Sequence, residues 1–254
     1  MPSAALASVT GTKEARTISN QSNQPRSANK ILANLPADEF EQIRPKLRAV
    51  SFPIGEILYM PEQIIEHAYF VDHGVVSLLA ALEDGSTVEA GVIGSEGVAG
   101  ISVVLGANST PNQALTQSDV EASRISAVDL VSAFRKSDRL RDSLLRFVHT
   151  MFTQVTQTAA CNRLHTLDQR LARWLLLTHD RVISNQFTLT QEFLSRMLGV
   201  RRAGVTVAAN DLRHSGLIDY HRGDILIVDR PGLEKVCCEC YRIVKQEYDS
   251  YQLN

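Results

Sequence analysis

From Thr190 to Leu217 the chain reads TQEFLSRMLGVRRAGVTVAANDLRHSGL, two short stretches of helical apolar periodicity broken once, at Gly199. Thr190 offers a hydroxyl to cap the first helix, and Phe193, Leu194, Met197 and Leu198 give it an inward stripe. After the break Val205, Ala208, Ala209 and Leu212 recur at intervals of 3, 4 and 7, while Arg202, Thr206, Asn210 and Arg213 recur at 4, 8 and 11 on the other side. The spacing predicts a second helix that packs by one face. Its other face shows guanidinium, hydroxyl and amide groups, the types that hydrogen-bond base edges and phosphates. A helix-turn-helix satisfies the pattern, and so does an ordinary helical hairpin with a solvated polar face. The residues that follow favour the first. Leu217 to His221 and Ile225 to Asp229 flank the turn-forming triplet Arg222-Gly223-Asp224, which places a two-stranded wing directly after the candidate recognition helix.

Charge is informative only locally. A formal net charge of -2 is unlike a chain that coats nucleic acid without specificity. Between Arg196 and Arg213, however, four arginines (Arg196, Arg201, Arg202, Arg213) stand against the single acid Asp211, a patch that a symmetric dimer would present twice. The 254 residues, 44% hydrophobic and 21% charged, have room for two globular domains.

The four cysteines, Cys161, Cys237, Cys238 and Cys240, are not spread as a disulfide framework would be, which fits a reducing cytoplasm. On one continuous terminal helix from Leu233 to Tyr248, adjacent thiols at 237 and 238 point about 100° apart and cannot all face one ion, so buried structural cysteines and no metal are expected. No apolar run reaches the length of a membrane span, and residues 1 to 29, rich in Ser, Thr, Asn, Gln and Ala, read as a disordered tail without the core of a signal peptide.

From residue 30 the texture changes. After a short helical pattern, PADEFEQIRPKL from Pro36 to Leu47, strand-like segments run from Phe52 to Tyr59, Ala68 to Val71, Val75 to Leu79, Thr87 to Ile93 and again within Ala114 to Ile125, separated by turn signals such as Asp72-His73-Gly74 and Asp84-Gly85. Short strands at this spacing predict a barrel or sandwich. At about Ala127 the period becomes helical. Between Asp138 and Ala160 the apolar residues form two neighbouring stripes, Leu140, Leu144, Phe147 and Met151 beside Leu145, Val148, Phe152 and Val155. A helix apolar on two sides needs two partners, here the β domain and either a second copy of itself or the rest of one monomer. Leu144, Phe147, Val148, Met151, Phe152 and Val155 are the expected dimer interface. Leu164 to Val182 forms a further amphipathic helix, with Leu167, Leu171, Trp174, Leu175 and Thr178 on one side.

In this order the chain resembles the Crp/Fnr superfamily of bacterial transcription regulators over roughly residues 31 to 250. The resemblance rests on FPIGEILY at Phe52–Tyr59, YFVDHGVV at Tyr69–Val76, Gly94-Ser95-Glu96-Gly97, LDQRLARWLL at Leu167–Leu176 and TQEFLSRMLGVRR at Thr190–Arg202. It implies an α+β protein: an N-terminal β-roll (jelly-roll-like barrel) of cyclic-nucleotide-binding type, a long dimerisation helix and a C-terminal winged helix-turn-helix on palindromic double-stranded DNA. The expected divisions are 1–29 tail, 30–126 sensor β-roll, 127–160 helical segment and 161–254 DNA-binding domain. Homodimerisation, RNA polymerase as a partner and an effector pocket at Gly94, Glu96, Gly97 and Gln113 are implied with it.

The sequence also departs from the family. Cyclic-nucleotide-responsive relatives follow the Gly-Glu element with an arginine that clamps the phosphate, whereas no basic residue lies between Gly94 and Glu121, and Gln113 stands near the expected place. The β-roll is therefore expected not to bind cyclic nucleotide in the usual way; a cyclic-nucleotide-dependent activator is the alternative, and a signalling module that does not bind DNA is a third reading. The N-terminal thiolates of the oxygen-sensing relatives are missing, since no cysteine precedes Cys161.

By position in the family motif, Arg202 is the first base-contacting residue, able to bond a guanine bidentately. Ala203 and Val207 fall at the next groove-facing positions, where many relatives carry Glu and Arg, and Arg201 replaces a small hydroxyl residue. Thr206 and Asn210 are second-rank contacts. Arg201, Arg213 and Arg222 are assigned to phosphates, and Thr190 to a phosphate through its backbone amide. No catalytic triad spacing, no glycine loop ending in Gly-Lys-Ser/Thr and no zinc motif points to an enzyme.

Overall fold

Two antiparallel sheets, built by residues 48 to 126 with one short strand from residues 16 and 17, face each other and enclose the first core. In the computed structural model, which describes residues 16–17 and 27–252 apart from 183 and 222, one sheet has the order β1 (Arg16–Thr17), β2 (Arg48–Phe52), β9 (Val120–Ser126), β4 (His67–His73), β7 (Val98–Ala99). The other runs β3 (Ile57–Tyr59), β8 (Asn112–Thr116), β5 (Val76–Ala81), β6 (Thr87–Ile93). The stretch expected as one strand from Phe52 to Tyr59 is two strands in different sheets, because Gly55 at φ 82° turns the chain between them. Ala114 to Ile125 divides in the same way into β8 and β9.

The predicted tail falls mostly outside the described residues, yet its end is structural. Asn29 is fully buried, caps α1 (Lys30–Ala33) and donates from its amide to the carbonyls of Val71 and Gly97. Helix α2 (Ala37–Ile43) ends where Pro45 enters a 3-10 turn.

Helix α3 (Ala127–Lys136), capped by Ser126, leads into the 27-residue α4 (Asp138–Leu164), capped by Ser137. Its two stripes separate as the sequence predicts. Leu140, Leu144, Phe147 and Met151 are buried in the β-roll core, where Phe147 fills the space a side chain at Gly97 would need. Leu145, Phe152 and Val155 are exposed, with Val148 half-buried beside them. Leu144, Phe147 and Met151 are thus corrected from dimer contacts to core residues of the monomer.

Helix α5 (Leu167–His179) starts on a capping box between Thr166 and Gln169 and is buried from Leu171 to Thr178, more completely than a one-sided helix would be. It lies between the β-roll and the C-terminal elements: β10 (Gln186–Thr188), α6 (Gln191–Leu198), α7 (Arg202–His214), β11 (Ile218–His221), β12 (Asp224–Ile227), α8 (Arg230–Val236) and α9 (Glu239–Gln252). A second core joins these helices to Val75, Leu79, Val92 and Leu115 on the outer face of the β3-β8-β5-β6 sheet. Neighbouring residues Val75 and Val76, Val92 and Ile93, or Ala114 and Leu115 therefore serve opposite cores, and the sheet is covered on both faces. The terminal helix expected from Leu233 to Tyr248 is broken: α8 ends at Val236 and α9 begins at Glu239.

Candidate nucleic-acid interface

The helix-turn-helix is assembled as its periodicity predicts. Thr190 accepts a 3.1 Å hydrogen bond from the Phe193 amide, and Gly199 closes α6 in the left-handed region at φ 61°, where only glycine is unstrained. Leu194, Met197 and Leu198 meet Val205, Ala208, Ala209 and Leu212 in the second core, while Phe193 sets its ring edge-on to Trp174 of α5. Gly204 faces the Leu167 side chain so closely that an added Cβ would sit 3.1 Å from it, so α5 and α7 approach over a bare backbone.

What remains outside is a continuous polar strip. Arg201, Arg202, Ala203, Val207, Asn210 and Arg213 are exposed and Thr206 is half-buried on the same side. Val207 is an apolar side chain 60% exposed on this strip. Arg201 stands at the start of α7 without capping it, as expected from its replacement of a hydroxyl residue. Arg213 lies 3.3 Å from Asp219 of the wing, an ion pair exposed on both sides and correspondingly weak.

Gln191, the first residue of α6, is a participant that sequence reasoning passes over. Its side-chain oxygen accepts from Thr206 Oγ1 at 3.0 Å and from Arg202 Nε at 3.4 Å, so it aligns two of the candidate contacts. Its position one residue after a capping threonine carried no signal, because the pairing spans 11 and 15 residues and two helices.

The wing is a hairpin in which His221 pairs with Asp224, and β10, unpredicted, adds a third strand against β12. Arg222, assigned to phosphate, lies outside the described residues.

The four candidate effector residues do not form one open pocket. Gly94, Glu96 and Gly97 share a loop, but Glu96 accepts from the Gly94 amide and from Arg181 Nε at 2.7 Å, with both charged side chains 5% exposed. Arg181 follows α5 and also stacks its guanidinium 4.7 Å above the Tyr248 ring of α9. Burial opposes its charge, yet Glu96, Tyr248 and Asp180 outweigh burial and hold the guanidinium protonated. Gln113 lies elsewhere. It pairs with Leu79, three residues along β5 from the level of Ile93, or about 10 Å at strand spacing, and shares the strand face of Leu115. Nearby, Glu89 on β6 is buried, accepts from Ser77 at 2.6 Å and has its carboxyl pushed up to about 7 by burial.

A β-roll joined through long helices to a winged helix-turn-helix is the architecture of a DNA-binding transcription regulator. The sequence agrees: residues 49–137 match the family model of the cyclic nucleotide-binding domain and residues 169–236 that of the Crp-like helix-turn-helix domain, together more than half of the chain. The chain belongs to the Crp/Fnr superfamily of transcription regulators. Its fold is similar to that of a protein described as a Crp/Fnr-family transcriptional regulator from Eubacterium rectale ATCC 33656, at 18% identity and a TM-score of 0.65 over 80% of this chain and 95% of that one. FixK2 from Bradyrhizobium japonicum matches at 18% identity and 0.65 over 76% and 98%, respectively. The c-di-GMP-responsive global regulator CLP of Xanthomonas campestris matches at 18% and 0.62 over 76% and 99%. No curated protein sequence matches the chain. None of the described helices is long and apolar enough to cross a membrane.

Proposed function

We propose that this regulator binds a palindromic operator as a homodimer and that its β-roll does not take a cyclic nucleotide in the usual way. The observation that carries the reading is the division of α7, with Val205, Ala208, Ala209 and Leu212 buried and Arg202, Ala203, Val207 and Asn210 exposed in one strip. Arg202 reads a guanine, Thr206 and Asn210 add second-rank contacts, and Ala203 and Val207 leave their base pairs unread or favour thymine. Thr190, Arg201, Arg213 and Arg222 hold phosphates.

The exposed stripe of α4 supports self-association, since Leu145, Phe152 and Val155 are 45%, 71% and 40% exposed on the long helix and follow one another at helical spacing. Two such helices side by side would set two α7 strips related by a two-fold axis, as a palindrome requires.

Against a cyclic nucleotide stands the occupied Glu96. A ribose hydroxyl would have to displace Arg181, and a buried guanidinium left alone is costly. The match to the cyclic nucleotide-binding model supports the second reading, a cyclic-nucleotide-dependent activator. CLP is described as c-di-GMP-responsive, which supports a domain of this fold answering to something other than a cyclic mononucleotide.

Selection of bound duplexes from a random pool tests the main reading, with an enriched two-fold sequence as the expected result and no enrichment as its refutation. Calorimetry with cyclic AMP and cyclic GMP separates the two sensor readings: micromolar binding of either establishes the second.

A further inference from the structure

Three cysteines and a histidine that are far apart in sequence converge behind the DNA-binding domain. Cys161 lies in the last turn of α4, and His165 is the residue that ends the helix, in extended backbone at φ -105° and ψ 153°. Cys238 and Cys240 flank the start of α9, beyond the break that separates it from α8. The break corrects the expectation that these thiols diverge around one helix: with Cys237 in extended backbone at φ -64° and ψ 154°, Cys238 is turned inward while Cys237 is left at the side.

The four donor atoms all lie within 4.8 Å of one another. Cys161 Sγ is 3.5 Å from Cys238 Sγ, and Cys240 Sγ is 3.6 Å from His165 Nδ1. A tetrahedral ion with bonds of about 2.3 Å to sulfur and about 2.0 Å to nitrogen holds its donors about 3.5 to 3.8 Å apart; these two pairs are already at that spacing, and the remaining pairs, within 4.8 Å, need to close by at most about an ångström. Thiol core packing needs no such convergence and would not require a histidine nitrogen among the sulfurs.

Two neighbours complete the arrangement. His165 presents Nδ1 to the cluster and its other nitrogen, Nε2, lies 3.3 Å from the Glu239 carboxylate, the outer partner that fixes the tautomer and orientation of a ligating imidazole. Three thiolates and one divalent cation leave a charge of minus one. Arg173, 5% exposed and bonded to Thr158 of α4, places its positive charge close enough to act on Cys161, Cys237 and Cys240.

We propose that Cys161, His165, Cys238 and Cys240 bind one zinc ion in a closed structural site that staples the α8–α9 junction to the end of α4. A soft sulfur-rich donor set in tetrahedral proportions selects zinc among common divalent ions, and four donors around one point leave no room for an iron-sulfur cluster, whose ligands spread around two or more irons. The site joins the long helix to the last helices of the DNA-binding half, so it holds the domain that carries α7 without touching the α7 strip.

The test uses the full chain purified under reducing conditions, with elemental analysis before and after incubation with zinc. One zinc per chain is expected, with cobalt substitution giving the intense ligand-field bands of a tetrahedral thiolate site. Cys240→Ser should lose the metal and Cys237→Ser should keep it. Glu239→Gln, which leaves every donor in place, should weaken zinc binding about 10- to 100-fold in chelator competition. The assignment is overturned by protein that holds no zinc after incubation, by iron with acid-labile sulfide, by a Cys161–Cys238 disulfide in its place, or by retention of zinc in Cys240→Ser with loss in Cys237→Ser.

Discussion

Arg181 places its Nε 2.7 Å from Oε1 of Glu96, joining the glycine loop of the β-roll to the segment that leaves α5 for the DNA-binding elements. The pair spans 85 residues of sequence and connects the expected sensor region to the reading domain. Both groups are buried, so removing one strands the other. Glu96→Ala is expected to cost about 3 to 5 kcal/mol, seen as a lowered denaturant midpoint, whereas replacing both with apolar residues of similar volume should restore most of it. A single variant as stable as the parent would show that water reaches the remaining charge.

Arg202→Ala should weaken operator binding by about 1 to 3 kcal/mol and relax preference at one base pair per half-site. Gln191→Ala should produce a smaller loss at the same base pair, since Gln191 holds Arg202 and Thr206 by their polar atoms. Binding measured against every single-base operator variant decides the matter; equal weakening on all of them contradicts base readout.

Arg213, proposed as a phosphate contact, also pairs with Asp219 of the wing. Because both partners are largely exposed, Arg213→Ala should leave stability nearly unchanged and weaken all DNA sequences alike, with a shallower salt dependence. An unaltered salt slope would confine Arg213 to the ion pair.

The two stripes of α4 separate folding from association. On the proposed homodimer, Phe152→Glu should yield monomer in light scattering at little cost to the monomer's fold, since Phe152 is 71% exposed. Leu144→Ala should instead cost about 2 to 5 kcal/mol of stability, because Leu144 is fully buried in the β-roll core. A Phe152→Glu protein that remains dimeric would remove this helix face from the interface.

Glu89 makes stability depend on pH. Burial first of all lifts its carboxyl from 4.5 to about 7, and the Ser77 hydrogen bond and the Arg173 and Arg181 charges offset only part of that. A carboxyl that holds its proton more tightly when folded stabilises the fold at low pH, so stability should fall as pH rises from about 4.5 through about 7 and level off above. The loss is at most about 3 kcal/mol. Glu89→Gln should flatten the profile of urea midpoints between these limits, and a profile identical to the parent's would assign the pH dependence to another group.

The elements that read correctly from sequence are those whose burial follows one period. Helix α7 packs by the residues its periodicity singles out, and Gly199 stops α6 where a positive φ is required. The strand β10 was missed because Gln186–Thr188 offers a single buried residue, Phe187, and draws its stability from pairing with β12, 36 residues on at Thr188 and Asp224. The break before α9 was missed because neither Pro nor Gly marks it. Of the candidate effector residues, Gly94, Glu96 and Gly97 are neighbours in sequence and share one loop, but nothing near them announced Arg181.

The sequence by itself determined the order of β-roll, long helix and winged helix-turn-helix, and the polar strip of α7, because these depend on local periodicity, caps and turns. Tertiary structure alone decided that one α4 stripe is spent within the monomer, that Glu96 is already partnered, and that four donors from two distant segments meet at one point. Those outcomes depend on which surfaces face each other across the fold, and no local pattern of residues encodes that distance.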